Sequence, residues 1–564
     1  MEITPANRSS RSRSRSRTRN STANTRSTSA TRRPSLSSTK RSLSSSSLNK
    51  LTVTSTQINH DRNIPSIQVI LDNSLPADFF KQDIIALTKT LRISKWHKKN
   101  LDIKYLKVNR ISGALTNSIY KVEYNDVLQD IVLPSLLLRV YGKNVDELID
   151  RDHELLTLIK LSQKRIGPRL LGIFTNGRFE QFLDGFITLN KEQIRDEVIS
   201  QMFGRRMKDL HYKIELDEED YRPMPTCWRL IEKWMKIFEN EYLPGYLAAG
   251  VDPKDIFMME FDDLKEIVFK YKHWLFSKYD DDGFTLNYKF CHNDTQYGNL
   301  LLCETFKAED IIVDSPTTTT KVNDITIKST SNKKDSNLVV IDFEYSGPNF
   351  PAFDIVNHFS EWMTDYHDPV RSYFLDEKKY PTRLQQLNLL KSYIEYDFQL
   401  PSSNLKSSKS SINLLNDPNQ DALNIIQYEI EKMYNECIYW RGSVQIYWCF
   451  WGLIQNGPIK PKLQKSASEI GVDSTYNITV DIENLNLDEN NGEIKQNENN
   501  DIEIVTEEAI TSSDDDFDYL KYSNQKISLF LGDALQLGLL TKKEISPKYI
   551  DLVKYLNIDT IGMV

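Results

Sequence analysis

The stretch FCHNDTQYGNLLL, Phe290–Leu302, decides how the rest of this sequence is interpreted. It places His292, Asp294 and Asn299 in the spacing H-x-D-x-x-x-x-N, directly after apolar residues. This set of residue types is the one that a catalytic loop for phosphoryl transfer requires. Because the spacing also arises by chance, its meaning depends on what surrounds it.

A second stretch, LVVIDFEY at Leu338–Tyr345, is an apolar run that leads into Asp342. Protein kinases combine a catalytic-loop Asp, an Asn after it and a second Asp that follows a strand. One carboxylate orients the attacking hydroxyl, while the amide and the other carboxylate hold Mg²⁺ against the nucleotide phosphates. The pattern predicts Asp294 as the catalytic base, Asn299 and Asp342 as Mg²⁺ ligands, and His292 as a brace of the catalytic loop.

Composition excludes several classes of protein. At 564 residues the chain is long enough for more than one domain, and its formal net charge of -8 provides no general attraction for nucleic acid. The cysteines form no C-x-x-C pair, which indicates free thiols in a reducing compartment. No apolar run reaches the roughly 18 residues that span a bilayer, and no secretory signal is recognisable. We expect a cytoplasmic protein without a transmembrane segment.

Polar, low-complexity segments interrupt the chain. Residues 1–66 open with an Arg/Ser run and are predicted to be disordered. RRPS at Arg32–Ser35 makes Ser35 a candidate target of a protein kinase; contact with RNA or anionic membrane, or no role at all, are the alternatives for this tail. Further disordered inserts are predicted at about 304–337, 402–416 and 461–516.

Residues 67–183 predict a small lobe with an antiparallel sheet. Periodicity and turn residues indicate the following order of elements. It comprises a helix over Leu75–Ile93, a hairpin over Leu101–Asn125, a strand over Leu133–Gly142, a helix over Asp146–Lys164 and a second hairpin over Arg169–Leu183.

This order is that of the nucleotide-binding lobe of a kinase and predicts an ATP site. The turn over Ser112–Asn117 would cover the phosphates with backbone N–H groups, although a plain hairpin turn fits it as well. Arg139 would bind phosphate and pair with Glu154, the alternative being a surface ion pair. The backbone of Glu180–Leu183 would receive the adenine. The predicted nucleotide contacts are Ser112, Gly113, Ala114, Thr116, Asn117, Arg139, Glu154, Glu180, Gln181 and Leu183.

Residues 184–564 predict a larger, mostly helical lobe, so that the whole is an α+β, protein-kinase-like fold of two lobes. No recognisable activation segment follows Asp342; aromatic and acidic residues follow instead. Trp448 and Trp451 are spaced to share a helix face. Aromatic faces with a carboxylate suit a quaternary ammonium, which cannot donate N–H hydrogen bonds. The alternative is that these aromatic residues only fill the core.

Three motifs carry a family resemblance: CHNDTQYGNLL, VVIDFEYSGPN and AFDIVNHFSEWMTDY. They resemble the signature motifs of choline kinases within the choline/ethanolamine kinase family, from about Ile111 to the C-terminus outside the inserts. The polar inserts and the Arg/Ser tail resemble fungal members. The resemblance implies Mg²⁺- and ATP-dependent phosphorylation of choline to phosphocholine, the first step of the CDP-choline route to phosphatidylcholine, and a homodimer.

The resemblance also implies roles for individual residues. Asp294 matches the base, Asn299 and Asp342 match the Mg²⁺ ligands, and Arg139 matches a phosphate-contacting arginine. Thr364 stands where relatives often have Tyr, which would loosen the rim of the pocket. The positions that surround the ammonium group are Tyr345, Glu361, Tyr366, Trp448, Trp451 and Tyr522.

Several alternatives remain from the sequence. An ethanolamine kinase or a dual-specificity enzyme would share the same chemistry, but ethanolamine offers N–H donors and favours carboxylates over an aromatic cage. A catalytically silent scaffold is a second alternative, although Asp294, Asn299 and Asp342 are all present. An antibiotic kinase or a protein kinase should lack the aromatic cluster near the C-terminus.

Overall fold

The computed structural model describes residues 54–56, 64–111, 117–141, 151–164, 166–222, 224–279, 281–309, 319–322, 325–328, 334–399, 418–458 and 517–562. Two large hydrophobic cores lie within them, a smaller one on a sheet and a larger one among helices, and a third, minor cluster contains Met363, Leu375, Leu529 and Leu556. This confirms the predicted α+β fold with two lobes. The cysteines are free thiols, as predicted. None of the described helices is both long enough and apolar enough to cross a membrane.

The smaller core lies on a seven-stranded sheet with the order β1-β2-β6-β7-β5-β4-β3. All of its pairs are antiparallel except β2 with β6, which are parallel. The predicted antiparallel sheet is therefore confirmed except for the parallel pair of β2 and β6. Parallel pairing of these two strands is possible because a long connection separates them. The strands are β1 (Thr54–Thr56), β2 (Ile64–Ile67), β3 (Leu106–Ile111), β4 (Asn117–Asp126), β5 (Ile131–Tyr141), β6 (Leu170–Phe174) and β7 (Gly177–Gln181).

Strands β1 and β2 correct the predicted extent of the disordered tail. Residues 54–56 pair with residues 64–66, and β2 continues the sheet next to β6. Ile64 and Ile67 are buried, so this part of the chain has the apolar residues that a sheet needs. The Ser/Thr-rich composition around these short strands concealed them. Arg32–Ser35 lies outside the described residues.

Helices build the larger core and flank the smaller one. Helix α1 faces the sheet with Phe80, Ile84 and Leu87, which recur at helical spacing and are buried. Trp228 and Trp234 are fully buried in the larger core. The helices are α1 (Ala77–Thr90), α2 (Arg151–Lys164), α3 (Glu197–Lys213), α4 (Thr226–Ile237), α5 (Leu243–Ala248), α6 (Pro253–Phe257), α7 (Phe261–Phe276), α8 (Pro351–Glu361), α9 (Arg383–Gln399), α10 (Pro418–Asn456) and α11 (Tyr519–Gln536).

Short strands support the loops between the helices. β10 pairs antiparallel with β8 and with β13, and β9 pairs with β14. The remaining pair, β11 with β12, forms a hairpin inside the insert at 304–337. The strands are β8 (Phe186–Thr188), β9 (Lys289–Cys291), β10 (Leu300–Cys303), β11 (Thr319–Val322), β12 (Ile325–Lys328), β13 (Leu338–Val340) and β14 (Gly347–Asn349).

The hairpin β11–β12 corrects the prediction of an unstructured insert. Its strands read TTKV and ITIK, in which β-branched residues dominate. The polar Ser, Asn and Lys residues around these strands obscured the alternation. The predicted inserts at 402–416 and 461–516 lie outside the described residues.

Candidate active site

Strand pairing brings the two halves of the predicted centre together. Leu300 of β10 lies opposite Val340 of β13. Beyond this pair the N–H of Ile341 donates to the carbonyl oxygen of Asn299, with a nitrogen–oxygen distance of 3.0 Å. Asn299 and Asp342 are thus neighbours although an insert separates them in the sequence.

Asp294 and Asn299 are joined directly. The amide nitrogen Nδ2 of Asn299 donates to Oδ2 of Asp294 at 2.8 Å and to its backbone oxygen at 3.0 Å. Burial, followed by the charges of Glu361 and Asp342, raises the pKa of Asp294 to about 8. A carboxylate held in such surroundings has the basicity that proton transfer from an alcohol near neutral pH requires.

His292 joins the loop that carries Asp294 to the strand end at Asp342, and its role as a brace stays a prediction. Its Nδ1 accepts the N–H of Asp294 at 3.2 Å, and its Nε2 lies 2.9 Å from the carbonyl oxygen of Ile341. These partners define a neutral ring with the proton on Nε2. Burial lowers the pKa of His292, in agreement with the neutral form. The ring links the loop of Asp294 to the strand that ends at Asp342, and it does not face the reacting groups.

Asp354 anchors the same loop, a role that was not predicted. Its carboxylate accepts the backbone N–H groups of His292 and Asn293, both at 2.6 Å, and lies 3.0 Å from Nε2 of His211. Asp354 and Glu361 lie two helical turns apart on α8, so this helix presents both towards the site. Asp354 stands in the motif AFDIVNHFSEW, but Glu361 was the acid of this motif to which the sequence analysis assigned a role.

Backbone strain is found at both halves of the centre. Asn293 has φ = 66° and Asp342 has φ = 64°, in the left-handed region that non-glycine residues rarely adopt. The Asn293 side chain compensates by donating to the backbone oxygen of Tyr345 at 2.9 Å. Such conformations concentrate at functional sites because the surrounding contacts must impose them.

Arg139 on β5 joins the sheet to the catalytic centre. Its Nη1 lies 3.1 Å from Oδ1 of Asp342, and its Nε lies 3.8 Å from Oε1 of Glu180. Burial lowers the pKa of Arg139, but the nearby carboxylates, with Asp342 foremost, outweigh this and raise it above its ordinary value. A guanidinium at this position is available to phosphate oxygens that approach Asp342.

Glu154 was predicted to pair with Arg139, but its ion pair in the structure is with Arg178. No sequence motif had indicated Arg178. The Nη2 of Arg178 lies 2.8 Å from Oε1 of Glu154, and its Nε donates to Oε1 of Glu180 at 2.6 Å. The charge of Glu154 still acts on Arg139, but the direct pair is with Arg178. Two arginines therefore share these acids because β5 and β7 are neighbours, with Arg139 opposite Arg178.

The other predicted nucleotide contacts are only partly described. Ser112, Gly113, Ala114 and Thr116 lie outside the described residues, and Asn117 begins β4. Glu180 and Gln181 end β7. The N–H of Gln181 donates to the carbonyl oxygen of Arg169 at 2.8 Å, and the carbonyl oxygen of Leu183 accepts the N–H of Phe186 at 3.3 Å; contact of this segment with an adenine stays a prediction.

The donor set fits a magnesium ion. Asn299 and Asp342 supply the amide and carboxylate oxygens that Mg²⁺ prefers. The carboxylates of Glu154, Asp342 and Glu344 also lie within 4.8 Å of one another. Glu344 was not predicted, although it stands in the DFE triplet that follows the apolar strand.

The aromatic residues predicted for the substrate lie together, next to the catalytic loop. Nε1 of Trp451 donates to Oη of Tyr345 at 2.8 Å, and the Trp448 ring lies 5.2 Å from that of Trp451 and 5.9 Å from that of Tyr345. Tyr522 of α11 lies 6.2 Å from Trp451, measured between ring centroids. Phe517, which was not predicted as a contact, lies 5.3 Å from Tyr522 and 6.3 Å from Tyr366.

Glu361 is the buried carboxylate among these rings. Its Oε2 accepts the hydroxyl of Tyr366 at 2.8 Å. The charge of Glu361 acts on Asp294, which places the two acids in one site. Thr364, noted as a departure from the family pattern, is buried and donates to the backbone oxygen of Glu361 at 2.8 Å. The arrangement offers a negative charge lined by aromatic faces beside a candidate base.

Family models match most of the chain. The model of choline/ethanolamine kinase matches residues 108–531, and a model of the choline kinase N terminus matches residues 55–104. The second match covers the region in which β1 and β2 were found.

Individual relatives agree with the family models. The choline kinase of Saccharomyces cerevisiae is 36% identical over 85% of this chain and 80% of its own length. The ethanolamine kinase of the same organism is 31% identical over 84% of this chain and 79% of its own. A solved choline kinase structure from Cryptosporidium parvum is 18% identical, with a TM-score of 0.49, over 83% of this chain and 99% of that one. The family models and these curated relatives show that the chain belongs to the choline/ethanolamine kinase family.

Proposed function

We propose that this chain transfers the γ-phosphoryl group of ATP to choline and forms phosphocholine. The observation that carries the proposal is the buried Glu361 carboxylate surrounded by aromatic rings beside Asp294. A quaternary ammonium gains from both charge and aromatic faces, whereas it has no use for hydrogen-bond acceptors. The use of ATP follows from membership in a kinase family.

Asp294 has the position of the base in this reaction. The choline hydroxyl would donate its proton to the Asp294 carboxylate as its oxygen attacks the γ-phosphorus and ADP leaves. Arg139, beside Asp342, would hold phosphate oxygens in the nucleotide complex. Asn299 and Asp342, with Glu344 nearby, would hold Mg²⁺, which offsets charge on the phosphates. His292 and Asp354 keep the loop in place without contacting substrate.

Turnover with both amino alcohols tests this function. We expect ATP- and Mg²⁺-dependent phosphorylation of choline, with kcat/KM for choline above that for ethanolamine, measured side by side. Asp294→Ala should lower kcat by about 10³-fold, because the contribution of a general base is of this order. Normal turnover in a folded Asp294→Ala protein would refute the assigned base.

Ethanolamine phosphorylation is the second candidate, favoured by the 31% identity to the ethanolamine kinase of Saccharomyces cerevisiae. A higher kcat/KM for ethanolamine would establish it in place of choline.

The wider expectations belong to the same proposal. They comprise a homodimer, a cytoplasmic location, phosphorylation of Ser35, and a division of the folded part near residue 183. Light scattering, cell fractionation, phosphopeptide mapping and limited proteolysis would test them in turn.

A further inference from the structure

A lysine is buried beside the carboxylate assigned to the ammonium group of the substrate. Lys526 lies on α11, one turn after Tyr522, and its side chain is 0% exposed. Its Nζ lies 3.8 Å from Oε1 of Glu361 and 5.1 Å from the centroid of the Tyr522 ring. Within the described part of the chain, Nζ has no hydrogen-bond partner. Burial of an ammonium group without a hydrogen-bond partner lowers the stability of the folded chain, so its presence at the site needs a reason.

The surroundings of Glu361 supply that reason. Oε2 accepts the Tyr366 hydroxyl at 2.8 Å and lies 3.4 Å from Oγ1 of Thr364. Oε1 is the oxygen that faces Lys526. A hydroxyl donor at Oε2 and a cation beside Oε1 thus flank the two oxygens of the carboxylate.

We propose that Lys526 is a specificity-determining and positioning residue that favours a quaternary over a primary ammonium. Tyr366 occupies Oε2 by a hydrogen bond and Lys526 occupies the space beside Oε1 as an ion-pair partner, so that Glu361 acts on the substrate through its charge and not as a hydrogen-bond acceptor. Choline needs no acceptor and is unaffected. The N–H groups of ethanolamine must compete with the Lys526 ammonium for Oε1. This competition lowers the binding free energy that a hydrogen bond from ethanolamine to Glu361 would contribute. This inference rests on the proposed function and deepens it.

The charges around Lys526 agree with this role. Burial lowers the pKa of Lys526, while the charges of Glu361 and Asp294 act in the opposite direction. The ammonium therefore lies within reach of both acids of the site and reduces their mutual repulsion.

The ratio of kcat/KM for choline to kcat/KM for ethanolamine tests the inference. Lys526→Met keeps the length of the side chain and removes its donors, so we expect this ratio to fall by about tenfold, the scale of one hydrogen bond to a charged group. Lys526→Arg retains a cation and should keep the ratio near that of the unmodified protein. A purely structural role would lower both values of kcat/KM equally, and an unchanged ratio would overturn the inference.

Two further variants make the test decisive. Tyr366→Phe removes the donor at Oε2 and should lower the same ratio, so it decides the question if Lys526→Met does not fold. Lys391→Met is the matched control, because Lys391 is a buried lysine paired with Glu395 at 2.7 Å on α9; it should leave the ratio unchanged. If the unmodified protein phosphorylates neither substrate, the proposed function fails. If it uses choline and neither Lys526→Met nor Tyr366→Phe changes the ratio, only this inference fails.

Discussion

At the scale of single residues, the site consists of buried charges that constrain one another. Arg139 is held by Asp342 and Glu180, and Asp294 is held by Asn299. Because Arg139 and Asp294 are each held by these partners, their side chains are positioned before a substrate arrives, which lowers the cost of positioning it. Single substitutions should therefore have separable effects on binding and on turnover.

Removal of one aromatic face should weaken choline binding. In Trp451→Ala we expect the KM for choline to rise about thirtyfold, because a cation–π contact in a desolvated site is worth about 2 kcal/mol. The kcat should change much less, since Trp451 contacts Tyr345 and not the catalytic loop. Steady-state kinetics at saturating ATP measures both values.

Trp274→Ala provides the control for this variant. Trp274 stacks on Tyr271 in α7, outside the aromatic pocket, and its loss should leave the KM for choline unchanged. An equal rise in both variants would indicate a general loss of stability instead of a lost substrate contact.

Loss of the Asp342 carboxylate should change the metal requirement. In Asp342→Asn we expect the Mg²⁺ concentration for half-maximal rate to rise at least about tenfold, because a charged oxygen ligand is replaced by a neutral one. Titration of turnover with Mg²⁺ at fixed ATP measures the change. A lower rate with the same Mg²⁺ dependence would show that Asp342 acts only through its pair with Arg139.

At the scale of elements, the close packing of α10 and α11 shapes the substrate pocket. Trp448 and Trp451 come from α10, and Tyr522 and Lys526 come from α11. Glycines permit this approach: a Cβ at Gly452 would lie 2.6 Å from Oγ of Ser523. The pocket therefore depends on the packing of two helices that a long insert separates in the sequence.

A glycine on the opposite side of α11 should tolerate no side chain. A Cβ at Gly532 would lie 1.8 Å from the carbonyl oxygen of Lys554, a backbone atom that cannot rotate away. We expect Gly532→Ala to lower the free energy of unfolding by about 1–3 kcal/mol, as overpacking does, measured by urea denaturation. Gly452→Ala is the comparison, and its cost should be smaller because the Ser523 side chain can change rotamer. Equal costs would contradict this explanation.

At the scale of the whole molecule, two cores meet at a cluster of charges. The sheet contributes Arg139 and Arg178, and the helical part contributes Asp342. The pair of Arg139 and Asp342 joins residues that are 203 positions apart in the chain. Turnover should therefore require both parts of the folded chain but not the Arg/Ser-rich segment before β1.

Deletion of residues 1–53 tests this expectation. Because the sheet begins at Thr54, we expect kcat and both KM values of the shortened chain to stay within about twofold of the full chain. A larger loss, with circular dichroism unchanged, would assign a catalytic or regulatory role to the tail.

Much of the fold and the catalytic chemistry could be predicted from local patterns. Helix α1 and the two hairpins of the sheet lie where periodicity placed them, within a few residues. Asp294, Asn299 and Asp342 were predicted as one site from their spacing, the apolar run before Asp342 and the pattern of the small lobe, because the loop and the strand end are each short and continuous. Short strands in polar surroundings, such as β1 and β11, were missed because composition conceals three or four alternating residues.

The sequence by itself determined which groups we propose for the chemistry, since residue type and local spacing define a loop, a strand end and a helix face. Only the tertiary structure decided which distant charges pair: Arg178 with Glu154, Asp354 with the backbone of His292, and Lys526 with Glu361. These contacts join separate elements, and the energy of a buried charge depends on every group packed around it. That environment arises only when the elements have packed together.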